Sequence, residues 1–87
     1  MSNRVTLYTT RYCPYCIRAR GLLDSKGVEY KDIAVDGSPQ LRREMSDRSG
    51  RTSVPQIWIG ERHIGGYDDM ALLESQGRLD ELLQPVS

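Results

Sequence analysis

Val5-Thr6-Leu7-Tyr8-Thr9-Thr10-Arg11-Tyr12-Cys13-Pro14-Tyr15-Cys16 is the stretch on which the fold of this chain turns. Val5 to Tyr8 is β-branched and aromatic and reads as a short strand, which Thr9-Thr10-Arg11 breaks off. Pro14 then stands where a helix begins, because its fixed φ suits the first turn and its missing N–H costs nothing there. Ile17, Ala19, Leu22 and Leu23 fall within that helix, and Gly27 ends it. Glu29 to Val35, with Tyr30, Ile33 and Val35 as its apolar residues, reads as a second strand. A strand, a crossover helix and a strand imply a parallel pair with a right-handed connection.

Downstream, Ser38-Pro39 opens a second helix as N-cap and first residue, with Leu41 and Met45 on its buried side and Gly50 closing it. Ile57-Trp58-Ile59, Gly60-Glu61 and Arg62-His63-Ile64 read as a hairpin. Gly65-Gly66 marks a break, and Asp68 and Asp69 start a last helix, where negative charge suits the dipole. Leu72 and Leu73 are expected to face the core. Gly77 then punctuates, and Leu79, Leu82 and Leu83 dock a C-terminal turn or short final helix. The expected order is βαβαββα, an α/β architecture with a four-stranded mixed sheet and flanking helices. Trp58 reads as core packing, His63 as a surface or half-buried residue, and Arg42, Arg43, Arg48 and Arg51 mostly as a solvated helix face.

The totals bound the function. Eighty-seven residues leave room for one core, so 1–87 is expected to be a single domain. Twelve basic against twelve acidic residues give no net charge, which argues against a nucleic-acid binder. No apolar run suits a signal peptide or a membrane span, so a cytoplasmic protein with no membrane association is expected. The only cysteines are Cys13 and Cys16. A bridge between them closes too short a loop to stabilise the fold, so the pair is there for reactivity or for metal. A structural zinc site needs four ligands, and the chain offers these two thiols and one distant His63. Redox chemistry is therefore expected, with no metal.

Only a thiolate attacks a disulfide, and a free thiol of pKa ~8.5 is about 3% ionised at pH 7. A helix start aims unpaired backbone N–H groups at the sulfur of Cys13, which favours its thiolate. Cys16, one turn inside, is expected to be more buried and less ionised. Cys13 is then the nucleophile and Cys16 the resolving thiol, with Tyr15 exposed beside them.

Cys13-Pro14-Tyr15-Cys16 resembles the signature of dithiol glutaredoxins, within the thioredoxin-like fold. Thr52-Ser53-Val54-Pro55-Gln56-Ile57 resembles that family's threonine-valine-proline turn, and Gly65-Gly66-Tyr67-Asp68-Asp69 its glycine-glycine-x-aspartate-aspartate motif. Together they resemble most the short bacterial glutaredoxin-3 type and span essentially the whole chain. The resemblance implies a monomeric glutathione-disulfide oxidoreductase, with glutathione as reducing co-substrate and no tightly bound cofactor. Its protein partners would be glutathionylated or disulfide-containing proteins such as ribonucleotide reductase. It implies a cis Pro55, which turns the Val54 backbone toward substrate, and a glutathione site built from Tyr15, Ser53, Val54, Pro55, Gly66, Asp68 and Asp69. The γ-glutamyl carboxylate would meet the N–H groups at the last helix start, and an aspartate there would pair with the ammonium group. Simple helix capping is the other role open to Asp68 and Asp69.

The chain departs from the family at Thr10, where many members carry lysine, and at Ser53, where threonine is usual. Arg42, with Arg11 as the alternative, is then the candidate cation for the glycine carboxylate of glutathione. Two rival functions remain open at this level. One is a redoxin served directly by a thioredoxin-type reductase. The other is an iron–sulfur carrier, although carriers in the family generally have glycine, phenylalanine and serine in place of Pro14, Tyr15 and Cys16.

Overall fold

A computed structural model of the protein describes residues 4–83. The elements run β1 (Val5–Thr9), α1 (Pro14–Ser25), β2 (Tyr30–Ala34), α2 (Pro39–Ser49), β3 (Gln56–Ile59), β4 (Arg62–Gly65), α3 (Tyr67–Ser75) and α4 (Leu79–Leu83). This is the expected order with the short final helix present. The strands form one sheet in the order β2-β1-β3-β4. β1 pairs parallel with β2 and antiparallel with β3, and β3 pairs antiparallel with β4.

Strand alternation divides the core. Val5 and Leu7 of β1 and Ile57 and Ile59 of β3 face one side, against Ala19 and Leu23 of α1, Met70 of α3, and Leu79 and Leu83 of α4. Tyr8 and Trp58 face the other side, where Met45 of α2 and Val35 close over them. Each fully buried Leu, Ile or Met here contributes about 1.5–3 kcal/mol of transfer free energy. Covered on both faces, Ile57-Trp58-Ile59 is an unbroken apolar run, as a central strand requires.

Local signals explain the boundaries. Ser38 Oγ accepts the Leu41 N–H at 3.3 Å, with Pro39 in the first turn, and Gly50 ends α2 with φ +71°. Gly65 is required on packing grounds as well, because at φ +116° a Cβ there would collide with the Asp69 carboxylate.

Two expectations need correction. Leu72 does not face the core: it is 57% exposed, whereas Met70 is fully buried and Leu73 packs partly against the cluster. With Met70 at the centre of the buried face, a step of about 100° per residue keeps Leu73 on it and turns Leu72 away. Arg48, although exposed, is held in place: its guanidinium lies 4.5 Å from the Trp58 ring centroid and donates to Tyr8 Oη at 2.8 Å.

Candidate active site

Cys13 is the N-cap of α1, with extended backbone (φ −99°, ψ 112°), and its Sγ accepts the Cys16 N–H at 3.1 Å. The residue is half-buried, whereas Cys16 is fully buried beneath it and both thiols are free. Desolvation pushes the Cys16 thiol up to about 12, and the Cys13 sulfur adds to the rise. The Thr10 backbone and the charge of Arg20 oppose it without prevailing. Arg20 is fixed by Asp32, with Nε 2.6 Å from Oδ2, and by Thr9 Oγ1 at 3.1 Å. One sulfur is thus open at a helix start and the other is covered, the asymmetry expected from the sequence.

Across from Cys13 lies the loop before β3. The Val54–Pro55 peptide is cis. The Cys13 thiol points at the Val54 carbonyl oxygen, 3.8 Å away. This loop borders an open cleft of about 200 Å³. Tyr15, 50% exposed, forms one wall with Tyr67, their ring centroids 6.3 Å apart. Ser53, Val54 and Pro55 form another side, and Gly66, Asp68 and Asp69 at the start of α3 close it.

Asp69 accepts the Gly66 N–H at 2.9 Å and Arg51 Nη1 at 3.1 Å. The Gly66 N–H above all, and then Arg51, hold its carboxyl below the ordinary aspartate value. Asp69 therefore does the capping work, while the exposed Asp68 has no side-chain partner among the described residues and is available to a ligand.

The fold brings together Cys13, Cys16, Tyr15, Ser53, Val54, Pro55, Gly66, Asp68 and Asp69. Arg42 stands apart from this cleft: its Nη1 reaches the Thr52 carbonyl at 3.4 Å, and it borders a separate depression beside Val35–Pro39. Arg11 is exposed on the active-site loop, where its backbone N–H meets Asp36 Oδ2 at 3.3 Å. The cation lining the cleft is Arg51, which sequence reasoning placed on the α2 face. The available signal was its position, after the helix-ending Gly50 and directly before Thr52. Among the described residues no group of three or more His, Cys, Asp or Glu side chains is placed to hold a metal ion. None of the described helices is long and apolar enough to cross a membrane.

A dithiol at a helix start facing a cis-proline loop, on this four-stranded mixed sheet, places the protein in the class of thiol–disulfide oxidoreductases with the thioredoxin-like fold. Residues 5–64 match the family model described as Glutaredoxin. A glutaredoxin of Pseudomonas aeruginosa is 58% identical over 79 residues, covering 91% of this chain and 94% of its own. Glutaredoxin 3 of Escherichia coli K12 is 52% identical over 84 residues, covering 97% of this chain and 100% of its own. Among solved structures, a buckwheat glutaredoxin–glutathione complex superposes with a TM-score of 0.85 at 30% identity, covering 93% of this chain and 76% of its own. The chain belongs to the glutaredoxin family, whose members are thiol–disulfide oxidoreductases that work with glutathione.

Proposed function

We propose that this protein reduces protein–glutathione mixed disulfides, and some protein disulfides, with electrons from glutathione through Cys13 and Cys16. The carrying observation is the pairing of an accessible Cys13 sulfur, 3.8 Å from the Val54 carbonyl, with a buried Cys16. In the first step the Cys13 thiolate attacks the glutathionyl sulfur, and the substrate protein leaves as a thiolate that takes up a proton. A second glutathione thiolate then attacks the Cys13–glutathione disulfide, releasing oxidised glutathione and restoring Cys13. With a protein disulfide, Cys13 forms the mixed disulfide and Cys16 attacks it. The reduced protein is released, and the resulting Cys13–Cys16 disulfide is reduced by two glutathiones.

Glutathione docks in this reading with its cysteinyl backbone against Val54 and its γ-glutamyl carboxylate at the α3 start. Its ammonium group meets Asp68, and Tyr15 and Tyr67 wall its flank. Arg42 or Arg51 holds a carboxylate. With the Gly66 N–H taken by Asp69, the N–H groups that follow it at the α3 start support the anion site, being at the positive end of a nine-residue helix. We take residues 1–87 as one catalytic domain acting as a monomer, of which the first three and last four residues lie outside the described structure.

The test is turnover of a glutathionylated peptide in a glutathione-reductase-coupled assay. Cys13→Ser should abolish it, and Cys16→Ser should retain it while losing most reduction of protein disulfides. An active Cys13→Ser protein would overturn the assignment.

A further inference from the structure

Gln56, the first residue of β3, is fully buried behind the substrate loop. Its Nε2 donates to the Ser53 carbonyl at 3.0 Å and to Ser53 Oγ at 3.3 Å. Its Oε1 faces His63 Nε2 at 2.8 Å. A carbonyl oxygen can only accept, so the amide nitrogen must face Ser53 and the amide oxygen must face the imidazole. His63 Nε2 therefore carries a proton. The His63 ring stacks on Trp58, centroids 4.7 Å apart, and Trp58 in turn is clamped by Arg48 and by the edge of Tyr8 at 5.3 Å. A rigid assembly on the α2 side of the sheet thus holds one amide in one orientation.

The consequence lies one bond further on. The Ser53 carbonyl and the Val54 N–H belong to the same peptide plane, and in a trans peptide they point in opposite directions. Holding the carbonyl toward the buried amide turns the Val54 N–H away from it, toward the cleft that Val54 lines. Flipping that plane would leave the Gln56 amide buried and underbonded, an outcome native structures avoid. We propose that Gln56, oriented by His63, is a positioning residue that fixes the Ser53–Val54 peptide plane so that its N–H is presented to the substrate beside Cys13. The substrate named in the test rests on the glutathione reading above; the orientation of the plane does not.

The experiment compares wild type with Gln56→Met, which keeps the shape and removes both polar partners. Gln56→Glu keeps an acceptor for His63 but sets an oxygen against the Ser53 carbonyl. Both should raise KM for a glutathionylated peptide about two- to tenfold, the effect of one weakened backbone contact, with kcat changed by less than about twofold. The rate at which iodoacetamide alkylates Cys13 needs no such contact and should stay the same. His63→Phe keeps the ring stack and the Ser53 bond, so its KM should rise less than that of Gln56→Met. The plane is also read without glutathione: Gln56→Met should shift the Val54 amide resonance in ¹⁵N–¹H spectra and change its hydrogen-exchange rate. If Gln56→Met does not fold, Gln56→Glu carries the same two readouts. A Val54 amide unchanged in the folded variant overturns the proposal whatever the activity. An unchanged KM, or equal losses in kcat and alkylation, overturns it too. Wild-type protein inert toward the glutathionylated peptide would instead overturn the glutathione reading and leave the Val54 amide to decide the positioning role.

Discussion

Replacing Cys13 by serine isolates the buried thiol and exposes what burial does to it. Cys16 is fully buried, and its thiol is pushed up to about 12, chiefly by desolvation and secondarily by the Cys13 sulfur. Cys13→Ser removes the secondary cause and leaves the primary one. Against an ordinary thiol near 8.5, a thiol at about 12 has roughly 3.5 log units less thiolate at neutral pH. A more basic thiolate is a better nucleophile, with a Brønsted slope of about 0.4–0.5, which recovers about 1.5 of those log units. Cys16 in the variant should therefore react with iodoacetamide at pH 7 roughly a hundredfold more slowly than a free model thiol, before any loss of access. Removal of the Cys13 sulfur makes that figure an upper bound on the ionisation effect. The assay is mass-spectrometric quantification of Cys16 alkylation at a series of pH values. The logarithm of the rate should climb with unit slope from pH 7 to about 10 without a plateau. A plateau with a midpoint near 8.5 would refute the argument, because Cys16 would then be no more desolvated than an exposed thiol.

Three further outcomes follow from the cleft. Arg51→Ala should raise KM for glutathione about two- to fivefold at low salt, the effect of losing one partly exposed charged contact, and the difference should shrink at high salt. Arg42→Ala in the same assay tests the other cation, and if neither variant changes KM, backbone groups alone hold the carboxylates. Asp69→Asn should lower stability at neutral pH by about 0.5–1 kcal/mol in urea unfolding, because an amide is a weaker acceptor for the Gly66 N–H and no partner for Arg51. Asp69 has a depressed folded-state pKa, so its contribution is present above the unfolded value of about 3.9. It is lost as pH falls through the folded value; wild type and Asp69→Asn should therefore converge in stability below about pH 4, and a constant difference there would contradict the assignment.

Local chemistry carries far in this chain. The strand from Val5, Pro14 at a helix start, Ser38-Pro39, the stops at Gly27 and Gly50 and the Ile57–Ile64 hairpin are each set by backbone preferences over a few residues, and the structure has them all. The asymmetry of Cys13 and Cys16 was legible for the same reason, since one position before a helix start and one turn inside it differ in exposure whatever the rest of the fold does. The three motifs named the glutaredoxin family and gathered nearly every residue of the cleft.

What sequence could not supply were relations between distant residues. Leu72 and Leu73 are equally apolar, and which of them turned inward depended on Met70 packing against β1 and β3. Arg42 and Arg51 carry the same charge nine positions apart, and only the placement of α3 put Arg51 beside Asp69 and in the cleft. Gln56 read only as part of the turn motif, and His63 as a surface or half-buried residue, until β3 and β4 paired. That pairing set Oε1 against Nε2 and turned the other end of the same amide to the Ser53 carbonyl. Backbone conformation follows from neighbours in the chain, but side-chain partnership depends on which elements the closed core brings within about 3 Å of each other, and that is decided only when the sheet and helices pack.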